Sequence, residues 1–251
     1  MGIIPPLDND GFAESHRLNL LAFDTSTETL SVAVQRGGPH APAPLHCEAA
    51  GGAQASAALI PAIQDLLARA GLRLPQLDAI VFGRGPGSFT GLRTACSVAQ
   101  GLALGAAVPV LAVDTLLAVA EEARYREGVT QVVAVLDARM DEVYSAAYAY
   151  EAGRWRQQGD FSLGAPEAVV VPAGWALAGN ALAAYGSRLA PAAARIEALP
   201  CAAAMLRLAP ALIAAGQAGP AARALPLYIR DKVAQTTEER AALRAAASTK
   251  P

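Results

Sequence analysis

The sequence predicts an α/β protein of two lobes in which strands alternate with helices. Three observations carry that expectation. Strand-like and helix-like stretches alternate along most of the 251 residues. An apolar run that ends in aspartate and is followed by a second extended run occurs twice, around Asp24 and around Asp137, nearly half a chain apart, the spacing of a duplicated unit. A glycine-rich corner joins a strand-like run to a helix-like one at Gly83-Arg84-Gly85-Pro86-Gly87-Ser88-Phe89-Thr90-Gly91-Leu92-Arg93.

The elements follow in order. Leu20–Phe23 is a short apolar strand ending at Asp24, Thr25-Ser26-Thr27-Glu28 is a polar turn, and Leu30–Val34 alternates as a strand does. Another strand covers Ala43–Glu48. Leu59, Ile63, Leu66, Leu67 and Ala70 share one face of a helix from about Ser56 to Ala70. Pro61 belongs in a first turn, which argues for a later start, and Gly71 stops the helix. A strand at 77–82 leads into the glycine corner and a helix from about Thr90 to Leu104, with Ala95, Ala99 and Ala103 four apart. Val110–Val113 is a strand, and Asp114 is placed to cap a helix through Arg126. Val132–Leu136, ending at Asp137, and Val143–Tyr148 repeat the first hairpin. Trp155 lies in an edge strand, Trp175–Asn180 reads as strand and turn, and Cys201–Ala215 reads as a helix that Pro210 kinks. Pro226–Arg230 is a strand-like tether. The expected divisions are an extension 1–17, lobes 18–113 and 114–230, and a tail 231–251.

Composition excludes several functions. Apolar residues make up 53% of the chain, enough for a core. A net charge of −2 and 5% aromatics leave no global field or stacking surface for nucleic acid. Cys47, Cys96 and Cys201 are widely spaced, as reduced thiols are, and Cys96 reads as core filler. His16, His40 and His46 lack zinc-site spacing. Pro5, Pro6, Asp8, Asp10 and Glu14 rule out a signal-peptide core at the start. The longest apolar stretch, near Ala103–Val113, is too short for a membrane span. A cytoplasmic protein is expected.

The glycine corner turns backbone N–H groups outward at a helix start, where an anion is favoured. It equally permits close approach of another backbone, or a tight turn with no ligand. It is neither a P-loop nor G-x-G-x-x-G.

Asp24-Thr25-Ser26-Thr27-Glu28, the glycine corner, Asp137-Ala138-Arg139-Met140-Asp141-Glu142-Val143-Tyr144 and Pro226-Leu227-Tyr228-Ile229-Arg230 together resemble the bacterial TsaB (YeaZ) family, from about Leu20 to Arg230. The resemblance implies an actin-like, sugar-kinase-like α/β fold of two lobes, each a mixed sheet flanked by helices. It also implies a non-catalytic scaffold in N6-threonylcarbamoyladenosine synthesis at tRNA position 37. The implied partners are a TsaD-like catalytic subunit and a TsaE-like ATPase, with a homodimer in isolation and tRNA contacted only indirectly. The family often has His-Ser or His-Thr at the first helix start. Here Gln54-Ala55-Ser56 stands there, and Ala55 argues against a metal role.

On this basis Asp24, Thr25, Ser26, Gly85, Gly87, Ser88 and Asp137 are candidates for a nucleotide or phosphate, with no intrinsic cofactor expected and ATP or ADP with Mg²⁺ confined to a partner interface. Asp24 and Asp137 suit a hydrated Mg²⁺ or simply their own hairpin backbones. Leu59, Ile63, Leu67, Leu92, Cys96 and Ala99 are expected to form half of an inter-subunit helix bundle. The alternative is a small-molecule kinase or metallopeptidase-like enzyme of the same superfamily. It needs a tighter phosphate hairpin or a set of metal ligands, and Ser88 has no histidine base at motif spacing.

Overall fold

The computed structural model describes residues 18–38 and 42–230; the expected extension 1–17 and tail 231–251 lie outside the described residues. The first sheet contains β1 (Leu20–Asp24), β2 (Thr29–Gln35), β3 (Leu45–Ala50), β4 (Ala79–Gly85) and β5 (Val110–Asp114), in the order β3-β2-β1-β4-β5. The second contains β6 (Gln131–Arg139), β7 (Glu142–Glu151), β8 (Arg154–Gly164), β9 (Ala176–Ala178) and β10 (Ala194–Ile196), in the order β8-β7-β6-β9-β10. In each, the first three strands form an antiparallel meander and the last two run parallel to the first strand. The two sheets share one topology, and the hairpins β1–β2 and β6–β7 take equivalent places in it. This is the two-lobe, mixed-sheet, actin-like architecture.

Among the described residues five α-helices cover the sheets: α1 (Ala55–Ala70), α2 (Phe89–Ala106), α3 (Thr115–Glu127), α4 (Ala181–Tyr185) and α5 (Ala202–Ala214). Alternation along each strand decides what they meet. Leu21 and Phe23 join Leu59, Ile63, Ala95 and Ala99 on one face of the first sheet. Leu20 and Ala22 join Met205 and Leu206 of α5 on the other. In the second sheet Val132 and Ala134 meet α3, while Val133 and Val135 meet α4. Helix α3 therefore serves both sheets, and α5, late in the chain, closes the first. A division at 113/114 falls at the end of β5, just before α3, and leaves α5 on the earlier sheet. Glu121 of α3, almost fully buried, accepts hydrogen bonds from Arg124, from Arg207 of α5 (3.0 Å) and from the Trp155 indole of β8 (2.9 Å), joining the halves.

Three local expectations are corrected. Helix α1 starts at Ala55, so Pro61 lies inside it rather than in its first turn, at an exposed position. Asp114 holds the N-cap position of α3 without capping it, because its carboxylate accepts Arg84 Nε at 2.6 Å. Pro226–Arg230 is irregular backbone rather than a strand. It is tied to β4 by the Leu227 N–H, which donates to the Arg84 carbonyl at 2.7 Å.

Candidate functional site

The glycine corner is a packing seam. The Ser88 N–H donates to Ser26 O at 2.8 Å, and the Thr25 hydroxyl donates to Gly91 O at 2.7 Å. A Cβ on Gly91 would overlap the Thr25 carbonyl, and one on Gly87 would sit 2.6 Å from Ser26 O. These glycines let the β1–β2 tip lie directly on the start of α2. The close approach of a second backbone, one of the uses open in the sequence, is what the corner does here. Ser88 is the N-cap of α2, its hydroxyl accepting from the Gly91 N–H at 3.5 Å.

Beside this seam, a cleft of about 320 Å³ separates the two hairpin tips. Of the candidate ligand residues, Ser26, Gly87, Ser88 and Asp137 line it. Asp24, Thr25 and Gly85 do not, which corrects their assignment. Asp24 and Thr25 are fully buried, and Gly85 lies under the Leu227 carbonyl, 2.7 Å from where a Cβ would stand. Asp24 Oδ1 accepts from the Ser26 N–H (2.9 Å) and hydroxyl (2.6 Å), while Oδ2 has no partner among the described residues. Burial pushes its pKa up to about 6, against the pull of the Ser26 hydrogen bonds. Asp137 is fixed by its neighbours: its N–H donates to Asn180 Oδ1 at 2.9 Å, and its carboxylate accepts from the Tyr185 hydroxyl at 2.8 Å. Burial first, then this contact with Asp137, pushes the Tyr185 phenol up to about 12.

The cleft's cations are committed to its acids. Arg139 reaches across to Glu28 at 2.6 Å and back to Asp137 at 3.3 Å. Arg230 lies 2.7 Å from Glu142. A phosphate would have to displace these pairs, and Asp24 would have to leave its burial site to meet a hydrated cation, so these residues do not fit a magnesium-nucleotide as they stand. Among the described residues, no group of three or more His, Cys, Asp or Glu side chains is placed to hold a metal ion. Burial pushes the Cys96 thiol up to about 11, in keeping with a packing role.

The sequence pointed to Glu28, Phe89, Arg139, Tyr228 and Arg230 only through the motifs that carry the resemblance, and named none of them as a site residue. Phe89 carried one local signal, a lone aromatic residue in a polar corner. Its ring lies 5.5 Å from that of Tyr228, with the Arg93 guanidinium 3.8 Å above it.

The six side chains expected at a subunit interface are all buried in this chain's own core: Leu59, Ile63, Leu67, Leu92, Cys96 and Ala99. Their helical periodicity reports packing on the first sheet, so they present no free face. The outward face is different. On α2 it carries Ser97, Gly101, Leu104 and Gly105, all exposed, with Leu104 78% exposed. Nothing stands within 4 Å of a Cβ position on Gly101 or Gly105. The adjacent α1 exposes Ala57, Ile60 and Pro61. No helix among the described residues is long and apolar enough to cross a membrane.

Comparisons with known proteins agree with this architecture. The family model described as "TsaD: tRNA N6-adenosine threonylcarbamoyltransferase" matches residues 52–242. The tRNA threonylcarbamoyladenosine biosynthesis protein TsaB of Escherichia coli K12 is 35% identical over 227 residues, 86% of this chain and 96% of that protein. Its counterpart in Haemophilus influenzae is 46% identical over 127 residues, about half of each chain. The solved structure of YeaZ from Pseudomonas aeruginosa superposes with a TM-score of 0.78 at 40% identity, covering 84% of this chain and all of that one. Matched by the TsaD-type model over most of its length, and aligned nearly end to end with TsaB and YeaZ, the chain belongs to the TsaB (YeaZ) family.

Proposed function

We propose that this protein is a non-catalytic scaffold in the synthesis of N6-threonylcarbamoyladenosine in tRNA. It docks a TsaD-like catalytic subunit through the outer face of α1 and α2, a TsaE-like ATPase joins that pair, and the same face holds two copies together in isolation. The cytoplasm, where the tRNA lies, is the compartment this reading requires. Contact with tRNA runs through the partner, since the chain has no positive balance of its own. In this reading the chain has no intrinsic cofactor, and any ATP or ADP with Mg²⁺ sits at the partner interface.

The observation that carries the proposal is the pair of exposed glycines four apart on α2. Glycine in an exposed helix interior costs about 1 kcal/mol relative to alanine, and nothing among the described residues needs the space at Gly101 or Gly105. Close approach of a second helix does. The scaffold role is supported by the cleft, whose acids and bases are paired with one another.

Gly101→Arg tests the surface. The folded monomer should keep its circular dichroism and melting behaviour, while the homodimer and the complex with the TsaD-like subunit are lost in size-exclusion chromatography with light scattering. Unchanged association would rule this face out. Turnover of ATP by the purified chain alone, abolished by substitutions in the cleft, would restore the enzyme alternative.

A further inference from the structure

The segment Pro226–Arg230 lines the cleft from Leu227 to Arg230 and touches both lobes. We infer that it is a strap coupling α2 to the β6–β7 hairpin, so that a partner seated on α2 and the conformation of the hairpin tip bias one another. The inference rests on the docking face proposed above and adds how that face is linked to the cleft.

One end of the strap is registered on the first lobe. Leu227 is hydrogen-bonded to Arg84, and its carbonyl occupies the space that Gly85 leaves by lacking a Cβ. The Tyr228 ring packs on Phe89 in the first turn of α2, and its hydroxyl accepts from Arg93 Nε at 3.0 Å. Two residues later the strap grips the second lobe. Arg230 Nη2 donates to the Ala138 carbonyl at 3.1 Å and pairs with Glu142, while its side chain is only 14% exposed. Two residues of chain reach no further than about 7 Å, so the anchors at Tyr228 and Arg230 cannot drift apart independently.

The element they hold has a reason to move. Arg139, Met140 and Asp141 are three consecutive non-glycine residues in the left-handed region, with φ of 60°, 56° and 63°. Such backbone persists where its surroundings enforce it. Arg188 holds the tip from one side by pairing with Asp141, and Arg230 holds it from the other. The Glu28–Arg139 pair also spans the cleft, but both side chains are more than two-thirds exposed, and such a pair is weak. Of these two links across the cleft, the Arg230 anchor, 14% exposed, is the better shielded. Coupling through it must be reciprocal.

Hydrogen–deuterium exchange on the full chain reads that reciprocity. In Tyr228→Ala, amides of residues 138–143 should exchange about three- to tenfold faster, although Tyr228 makes no hydrogen bond or ring contact with the hairpin. In Arg230→Ala, amides of residues 92–95 should do the same. Tyr228→Phe keeps the ring and should fall between wild type and Tyr228→Ala, which separates loosening of the strap from misfolding. If each substitution speeds exchange only beside its own side chain, the strap is a passive tether and the coupling is wrong. Saturating the wild type with its TsaD-like subunit should slow exchange at 138–143, and Tyr228→Ala at equal occupancy should not show it. No slowing in a formed wild-type complex overturns the link to docking. Failure of the wild type to form that complex sinks the docking face instead, while the two single-variant comparisons still decide whether the strap couples the lobes.

Discussion

Asp24 is an expensive residue as placed. Its Oδ2 faces Gly83 and the Met205 methyl with no donor in reach, and the fold holds the carboxyl's proton up to about pH 6 while the unfolded chain releases it near 3.8. Between those values the folded state binds more protons, so stability falls as pH rises through the window and stays lowered above it. Asp24→Asn keeps the acceptor that Ser26 uses and removes the charge. It should be more stable than wild type at pH 7.5 by up to about 3 kcal/mol, with the gap closing toward pH 3.5. Urea midpoints of both proteins at the two pH values check this; a gap independent of pH would show that Asp24 does not titrate in the fold. The sequence placed Asp24 correctly at a strand end. Its depth was illegible, because Gly83 and Met205, which bury it, come from β4 and α5, far along the chain.

Element boundaries were largely legible where the signals are local. Gly71 and Gly128 end α1 and α3 in left-handed conformations, and Ser88 starts α2. The identity of the surface each helix covers was not, because periodicity marks a buried face without saying what buries it. That is why Leu59, Ile63 and Ala99 read as an interface and proved to be core. A charge at Ala99 should therefore unfold the first lobe rather than release a partner selectively. The glycines of α2 give the cleaner test. Gly101→Ala with Gly105→Ala should raise the monomer's stability by about 1–2 kcal/mol while weakening association. Thermal melts and sedimentation of one preparation should move in opposite directions; stabilisation without loss of association would mean that no helix approaches there.

At the scale of the whole molecule, the duplication was visible in sequence only as two hairpins ending in aspartate. The shared strand order could not be read, since β9 and β10 are three residues each and carry too little periodicity to register. Nor could the return of α5, whose apolar face says nothing about which sheet it will meet. Its place makes the halves interdependent. A fragment of residues 18–113 leaves Leu20, Ala22, Val81 and Leu111 uncovered and should bind the dye ANS and show little protection of its amides from exchange. Adding a peptide of residues 200–216 should abolish the ANS signal and restore the protection. A fragment that is native-like alone would refute that dependence.

The late position of α5 also orders events in time. On a chain emerging from the ribosome, the first sheet is complete by Asp114, yet its second face stays bare until Ala214 has been made. Half of the early product waits on nearly the last helix, a long-range closure that slows folding and leaves an adhesive surface for holding chaperones to shield meanwhile.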